Sequence, residues 1–171
     1  NVSSFFERFP RFFETGETNP DSNRLIARHA AIVESRSEIY RGARVLDIGS
    51  HDGRWSFAAL KAGAKNCRGL EARESLIKKA EENFAHYDVA RDSYDFVEGD
   101  AIEYMRGHAP DSFDLVLCLG FFYHTPYHME IVSQCRRLGA RHIVIDTAVA
   151  VDERPVVLFN LEDTSDHRRS I

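Results

Sequence analysis

One stretch constrains the fold of this chain more than any other: Val45-Leu46-Asp47-Ile48-Gly49-Ser50-His51-Asp52-Gly53-Arg54-Trp55. Val45 to Ile48 is a short apolar run that reads as a buried strand. Gly49 and Gly53 bracket a turn, and Trp55 to Leu60 begins an apolar pattern suited to a helix. Strand, glycine turn and helix together let a backbone approach a nucleotide-like ligand closely and aim helix N–H groups at it. The missing Cβ matters, because a side chain at the turn would fill ligand space or resist a positive φ. The remaining strand ends must supply the other walls of such a site.

Around this stretch the apolar pattern alternates between strand and helix periods. Asp21 or Ser22 can cap a helix over Asn23 to Tyr40, with an apolar stripe of Leu25, Ile26, His29, Ile32, Val33 and Ile39. Gly42 ends it. Further strands are expected at Asn66–Glu71, Tyr94–Glu98, Phe113–Leu119 and His142–Thr147. Helices are expected at Glu74–Phe84, Ala101–Arg106 and Tyr127–Leu138. Such alternation predicts an α/β fold, a three-layer sandwich with a mostly parallel sheet and helices on both faces. Val156 to Phe159 reads as a short sixth strand before a polar tail, so the final strand pair looks incomplete. The 171 residues suit one domain: an aromatic arm and helix (1–41), a ligand-binding core (42–147), and a C-terminal strand and tail (148–171).

The net charge of −5, with acidic and basic residues mixed, argues against a bare nucleic-acid binder. No apolar run reaches membrane-spanning length and no leader pattern opens the chain, which makes the cytoplasm the expected location. The chain begins at Asn1 without a Met, as a processed or trimmed product would. Cys67, Cys118 and Cys135 form no C-x-x-C pair and read as small buried hydrophobes in a reducing compartment. Five phenylalanines (Phe5, Phe6, Phe9, Phe12, Phe13) crowd the N-terminus, where Pro10 forbids one uninterrupted helix. They serve either as an arm packed on the core or as a lid over a cleft. His29, on the apolar stripe, reads as a core histidine.

In an open α/β sheet, ligands bind beyond the carboxyl ends of the strands, near the switch in strand order. Glu71 closes the second strand, a little over twenty residues after the glycine turn, where a carboxylate can accept both hydroxyls of a ribose. A solvated charge at a strand end is the plainer reading of the same residue. Asp100 suits an adenine-edge contact together with the Ala101 N–H, and it also suits a helix N-cap. The fourth strand ends in Gly120-Phe121-Phe122-Tyr123-His124 and the fifth in Asp146-Thr147.

With these blocks, VLDIGSHDG, GLEAR, VEGDA and FDLVLCLGFFYH, the chain resembles the class I, Rossmann-like methyltransferases that use S-adenosylmethionine. The resemblance covers about Arg44 to Thr147. It implies S-adenosylmethionine as cofactor and S-adenosylhomocysteine as product. The first loop, with Asp47, Gly49, Ser50, His51, Gly53 and Trp55, would hold the methionine part. Glu71 and Ala72 would hold the ribose, Asp100 and Ala101 would face adenine, and Leu119 and Gly120 would line the junction of cofactor and acceptor. His51 stands where the family often has a glycine. The G-x-G-x-x-G fingerprint of pyrophosphate binders fails outright, which weighs against an NAD(P)-type oxidoreductase, a rival on the same architecture.

Methyl transfer needs alignment and desolvation, and a general base only where the acceptor loses a proton. Tyr123 and His124 are the candidates, His124 as base because an imidazole exchanges protons near neutral pH, or both as pocket walls. His124 and His128 are separated by Pro126, and the fourth strand ends without a carboxylate, so no metal is expected. The Asn/Asp-Pro-Pro-Tyr/Phe box of amino-group methylases is absent. An aromatic pocket, with the N-terminal phenylalanines as cover, points to a small apolar or aromatic acceptor methylated at oxygen, nitrogen or carbon in that order. The CLGFFYH block is also similar to tRNA-modifying carboxymethyl-transferring relatives, although nucleic acid is disfavoured by charge. A cofactor-binding module without turnover is the remaining alternative.

Overall fold

In the computed structural model, which describes residues 3–17 and 21–158, the opening stretch becomes the centre of a five-stranded sheet. Strands β1 (Arg44–Ile48), β2 (Asn66–Glu71), β3 (Tyr94–Glu98), β4 (Leu115–Leu119) and β5 (His142–Asp146) lie in the order β3-β2-β1-β4-β5. All pairings are parallel, with Ile48 level with Leu70 on one side and Cys118 on the other. The chain therefore leaves β1 in one direction through β2 and β3, then returns past it to β4 and β5. The switch in order falls between β1 and β4, where ligand clefts form in such sheets.

The two-residue period of the strands sorts side chains to opposite faces. Val45, Leu115, Leu117 and Leu119 meet α3 (Ser22–Ile32), α4 (Arg54–Lys61) and part of α5 (Glu74–His86). Leu46, Ile48 and Val116 meet α6 (Ala101–Gly107) and α7 (His128–Arg137). The result is the expected three-layer α/β sandwich, with the sheet open at both edges among the described residues. Each fully buried Leu, Ile or Phe here contributes roughly 1.5–3 kcal/mol of transfer free energy, which the ordering of the chain largely offsets.

The N-terminal arm forms two short helices, α1 (Phe5–Arg8) and α2 (Arg11–Glu14), divided at Pro10 as its fixed φ requires. Phe5, Phe6 and Phe12 are buried in the core on the α4 face. Phe12 lies 5.1 Å from Phe57 between ring centroids, Phe9 4.7 Å from Phe57, and Phe6 5.8 Å from Trp55. His29 is buried among these rings, stacked 4.2 Å from Phe5, with Nδ1 3.2 Å from a Glu34 carboxylate oxygen. Of the two readings of the phenylalanines, the arm packed on the core is the one the structure shows. All three cysteines are buried thiols.

Two expectations are corrected. The helix from Asn23 to Tyr40 stops at Ile32 and gives way to a 3-10 segment, Glu34–Ile39, broken at Arg36 (φ −139°, ψ 32°). Ser35 Oγ donates to the Ala31 carbonyl at 2.6 Å, the kind of local side-chain bond that competes with helix continuation. The sixth strand does not form over 156–158: those residues have no ladder partner, and Val157 and Leu158 are exposed. A strand needs a neighbouring edge and a half-buried face, and Pro155 removes one donor at the start of the segment. Phe159 and the tail lie outside the described residues. Among the described residues no helix is long and apolar enough to cross a membrane.

Candidate active site

A cleft of about 1340 Å³ opens at the carboxyl ends of the strands, across the β1–β4 switch point. Its first wall is the loop after β1. Gly49 (φ 68°) packs against Phe121, whose ring would lie 3.5 Å from a Cβ placed there. His51 also takes a left-handed backbone (φ 54°), unusual for a residue with a side chain and costing about 1 kcal/mol. Its ring lines the cleft with Nδ1 3.4 Å from Asp52 Oδ1, and neither ring nitrogen has a hydrogen bond among the described residues.

The second wall is Glu71, only 6% exposed. Its Oε2 accepts from the His51 N–H at 3.0 Å, and its Oε1 accepts from the Arg73 N–H at 3.1 Å and Arg73 Nε at 3.2 Å. Oε1 thus accepts twice and Oε2 once, which leaves Oε2 a lone-pair site for a ribose hydroxyl. Asp100 caps α6: its Oδ1 accepts from the N–H groups of Ile102 and Glu103 at 2.9 and 2.8 Å, leaving Oδ2 outside the cap. Capping and cleft-lining are therefore served by one side chain.

The third wall follows β4. Gly120 (φ 82°) donates its N–H to the Asp146 carbonyl at 2.8 Å, and the volume a Cβ would take there is open cleft. A short 3-10 turn, Phe122–His124, then presents Tyr123 and His124 with ring centroids 4.2 Å apart. His128 does not join them; its Nε2 is 2.8 Å from the Phe122 carbonyl and its ring stacks on Phe122. No group of His, Cys, Asp or Glu among the described residues is arranged to hold a metal ion.

Open space at Gly120, carboxylates anchored by backbone N–H groups at the ends of β2 and β3, and a cleft spanning the switch point leave room for a nucleoside-sized ligand. The family model described as "Methyltransferase domain" matches residues 45–141, more than half of the chain. This chain belongs to the class I, S-adenosylmethionine-dependent methyltransferase family. Ubiquinone biosynthesis O-methyltransferase of Neisseria meningitidis serogroup C is 31% identical over 98 residues, 57% of this chain and 40% of that protein. Ribosomal RNA large subunit methyltransferase K/L of a Shewanella species (strain ANA-3) is 33% identical over 79 residues, 44% of this chain and 11% of that protein. The crystal structure of the PH0226 protein from Pyrococcus horikoshii OT3 superposes with a TM-score of 0.59 at 20% identity, over 81% of this chain and 61% of that one, a likeness of fold. The chain thus spans less than half the length of these two sequence relatives.

Within this methyltransferase core, Gly49, His51, Trp55, Glu71, Ala72, Asp100, Ala101, Leu119, Gly120, Tyr123 and His124 line one cleft. Asp47, Ser50 and Gly53, expected at the cofactor, lie behind it. Asp47 shares the α4 face of β1, where Oδ2 accepts from Ser56 Oγ at 2.7 Å and Oδ1 has no partner. Burial, with the nearby charges of Glu71 and Asp52, pushes its carboxyl up to about 7 despite the Ser56 bond. Ser50 turns away: its N–H donates to the Leu70 carbonyl at 2.8 Å, and its Oγ lies 2.7 Å from where a Cβ on Gly69 would be. Gly53 (φ 79°) is needed for packing, since a Cβ would come within 2.9 Å of Phe84 and 3.0 Å of Phe96.

One buried network had no signal in the sequence. Arg54 Nε and Nη2 each donate to an Asp52 oxygen at 2.7 Å, and Thr15 Oγ1 donates to Asp52 Oδ2 at 2.7 Å. Asn83 Nδ2 donates to both Thr15 Oγ1 and the Asp52 carbonyl at 3.0 Å, while Arg11 Nε donates to Asn83 Oδ1 at 2.7 Å. Burial would push the Asp52 carboxyl up, but His51 and Arg54 outweigh it and hold the group well below the usual carboxylate range. The arm, the loop after β1 and α5 are locked together behind the cleft. Arg24 and Arg28 of α3, and Tyr127, are further wall residues that no motif pointed to.

Proposed function

We propose that this protein transfers a methyl group from S-adenosylmethionine to an oxygen of a small-molecule acceptor. The observation that carries this reading is Glu71, buried in the cleft wall and held by two backbone N–H groups at the ribose position. Asp100 and Ala101 extend the same wall toward an adenine, and Gly49, His51 and Trp55 form the methionine side. When bound, S-adenosylmethionine supplies a methyl carbon made electrophilic by its sulfonium charge.

The chain's own residues align, dry and deprotonate. Phe121, packed over Gly49, excludes water from the junction between the β1 loop and the end of β4. A ring nitrogen of His124 takes the proton of an acceptor hydroxyl, and the adjacent Tyr123 ring restrains the imidazole. The Neisseria relative, an O-methyltransferase of ubiquinone biosynthesis, supports oxygen as the acceptor atom. The name of the Shewanella relative makes RNA the competing acceptor.

Incubation with methyl-tritiated S-adenosylmethionine, offered in parallel a panel of phenols and amines and a ribosomal RNA transcript, tests this directly. Label is expected in a small hydroxylated compound. Label in RNA alone would overturn the small-molecule assignment, and no label in either would favour a binding module without turnover.

A further inference from the structure

Three arginines line the cleft: Arg24 and Arg28, one turn apart on α3, and Arg54 at the start of α4. Two of them are neutralised locally. Arg54 is paired with Asp52, and Arg28 Nε donates to Asp146 Oδ2 at 2.7 Å while its guanidinium lies 4.9 Å over the Trp55 ring. Arg24 has no hydrogen bond or ion pair among the described residues, and it is exposed in the cleft wall. The three charges act on one another: burial first, and then Arg24 and Arg54, hold Arg28 below its usual range, opposed by Asp146.

The location is set by topology. The Arg28–Asp146 pair ties α3 to the carboxyl end of β5, the edge strand farthest from Asp100 at the end of β3. The same cleft is lined by two exposed rings, Tyr123 at 51% and Tyr127 at 57%. An unpaired planar guanidinium matches a carboxylate or phosphate in two-point geometry, and exposed tyrosines offer flat apolar faces to a ring.

We propose that the acceptor is an aromatic compound bearing an anionic group, a carboxylate or a phosphate, which Arg24 receives while the ring lies against Tyr123 and Tyr127. This inference rests on the methyl-transfer reading above and replaces an apolar acceptor with a charged one. Arg28, already committed to Asp146 and Trp55, shapes the subsite without being its free charge.

Trp55, the single tryptophan of the chain, lies in the cleft wall beneath Arg28, so its fluorescence reports occupancy there. With S-adenosylhomocysteine saturating, 4-hydroxybenzoate, phenyl phosphate and neutral 4-hydroxybenzamide are titrated against Trp55 emission. One of the two anions is expected to bind about tenfold or more tightly than the amide, as a charged hydrogen-bonded pair would require, and the winner distinguishes carboxylate from phosphate. Arg24→Gln should abolish that preference and leave the affinity for S-adenosylhomocysteine unchanged. Equal binding of all three probes, no binding of any, or a preference that survives Arg24→Gln would overturn the proposal. Weakened S-adenosylhomocysteine binding in the variant would also overturn it, by assigning Arg24 to the cofactor's own carboxylate. Failure of the wild type to bind S-adenosylhomocysteine would instead remove the methyl-transfer reading on which it rests.

Discussion

The two halves of the cleft are built differently. On the β1–β2–β3 side the polar groups are anchored: buried Glu71 and exposed Asp100 accept from backbone N–H groups, and Asp52 holds Arg54 out of solvent, with side chains 0% and 8% exposed. On the β4–β5 side the groups are exposed and loosely held: Tyr123 and Tyr127 project to solvent, and the Arg28–Asp146 pair is 18% and 36% exposed. Rigid dipoles fixed before binding suit a ligand that is the same at every turnover, whereas side chains that can move suit a partner that enters and leaves. The fixed half reads as the cofactor side and the loose half as the acceptor side.

The sharpest way to break this contrast is to cut both ion pairs. Asp52→Ala strands a buried guanidinium and removes the acceptor of Thr15, so chemical denaturation should show a loss of about 3–5 kcal/mol. Asp146→Ala should cost no more than about 1 kcal/mol, because the pair it breaks is partly in water. Equal losses would mean the halves are alike. His124→Ala should lower kcat by roughly 10²–10⁴-fold once an acceptor is in hand, with S-adenosylhomocysteine affinity unchanged, if the imidazole is the base. A change only in KM would make it a pocket wall.

A smaller effect is expected at Gly53. Gly53→Ala forces a Cβ against Phe84 and Phe96 at a left-handed φ, for a loss of about 1–2 kcal/mol, whereas His51→Gly should relieve about 1 kcal/mol of backbone strain. Thermal melts of the two variants should move in opposite directions. The finest test concerns Asp47, whose folded carboxyl is raised from 3.8 to about 7. Between those values the native state holds a proton that the unfolded chain has released, so raising the pH favours unfolding through this group. Its contribution is most favourable below pH 4 and falls as pH rises toward 7; Asp47→Asn should flatten that part of the stability profile.

The same contrast explains what could be read from the sequence. Glu71 and Asp100 were visible because each directly follows a strand signal, and parallel strands all deliver their carboxyl ends to one side of the sheet. Asp47 and Ser50 stood in the same motif yet miss the cleft, because alternation along β1 turns Asp47 toward Ser56 and the loop folds Ser50 onto Gly69. Arg24 and Arg28 carried no signal, since only the packing of α3 across the strand ends brings them to the cleft. The phenylalanines announced burial but not which face they would fill, and the sixth strand looked adequate only until a partner edge was required.

The central claim is that the fixed half holds S-adenosylmethionine through Glu71. Calorimetric titration of S-adenosylhomocysteine into the wild type and Glu71→Ala, with NAD(P)H as the comparison ligand, tests it most directly. One site per chain is expected in the wild type, with affinity falling about a hundredfold or more in Glu71→Ala as the charged hydrogen bonds to the ribose are lost, and no heat from NAD(P)H. Unchanged affinity in the variant, or binding of NAD(P)H in place of S-adenosylhomocysteine, would contradict it.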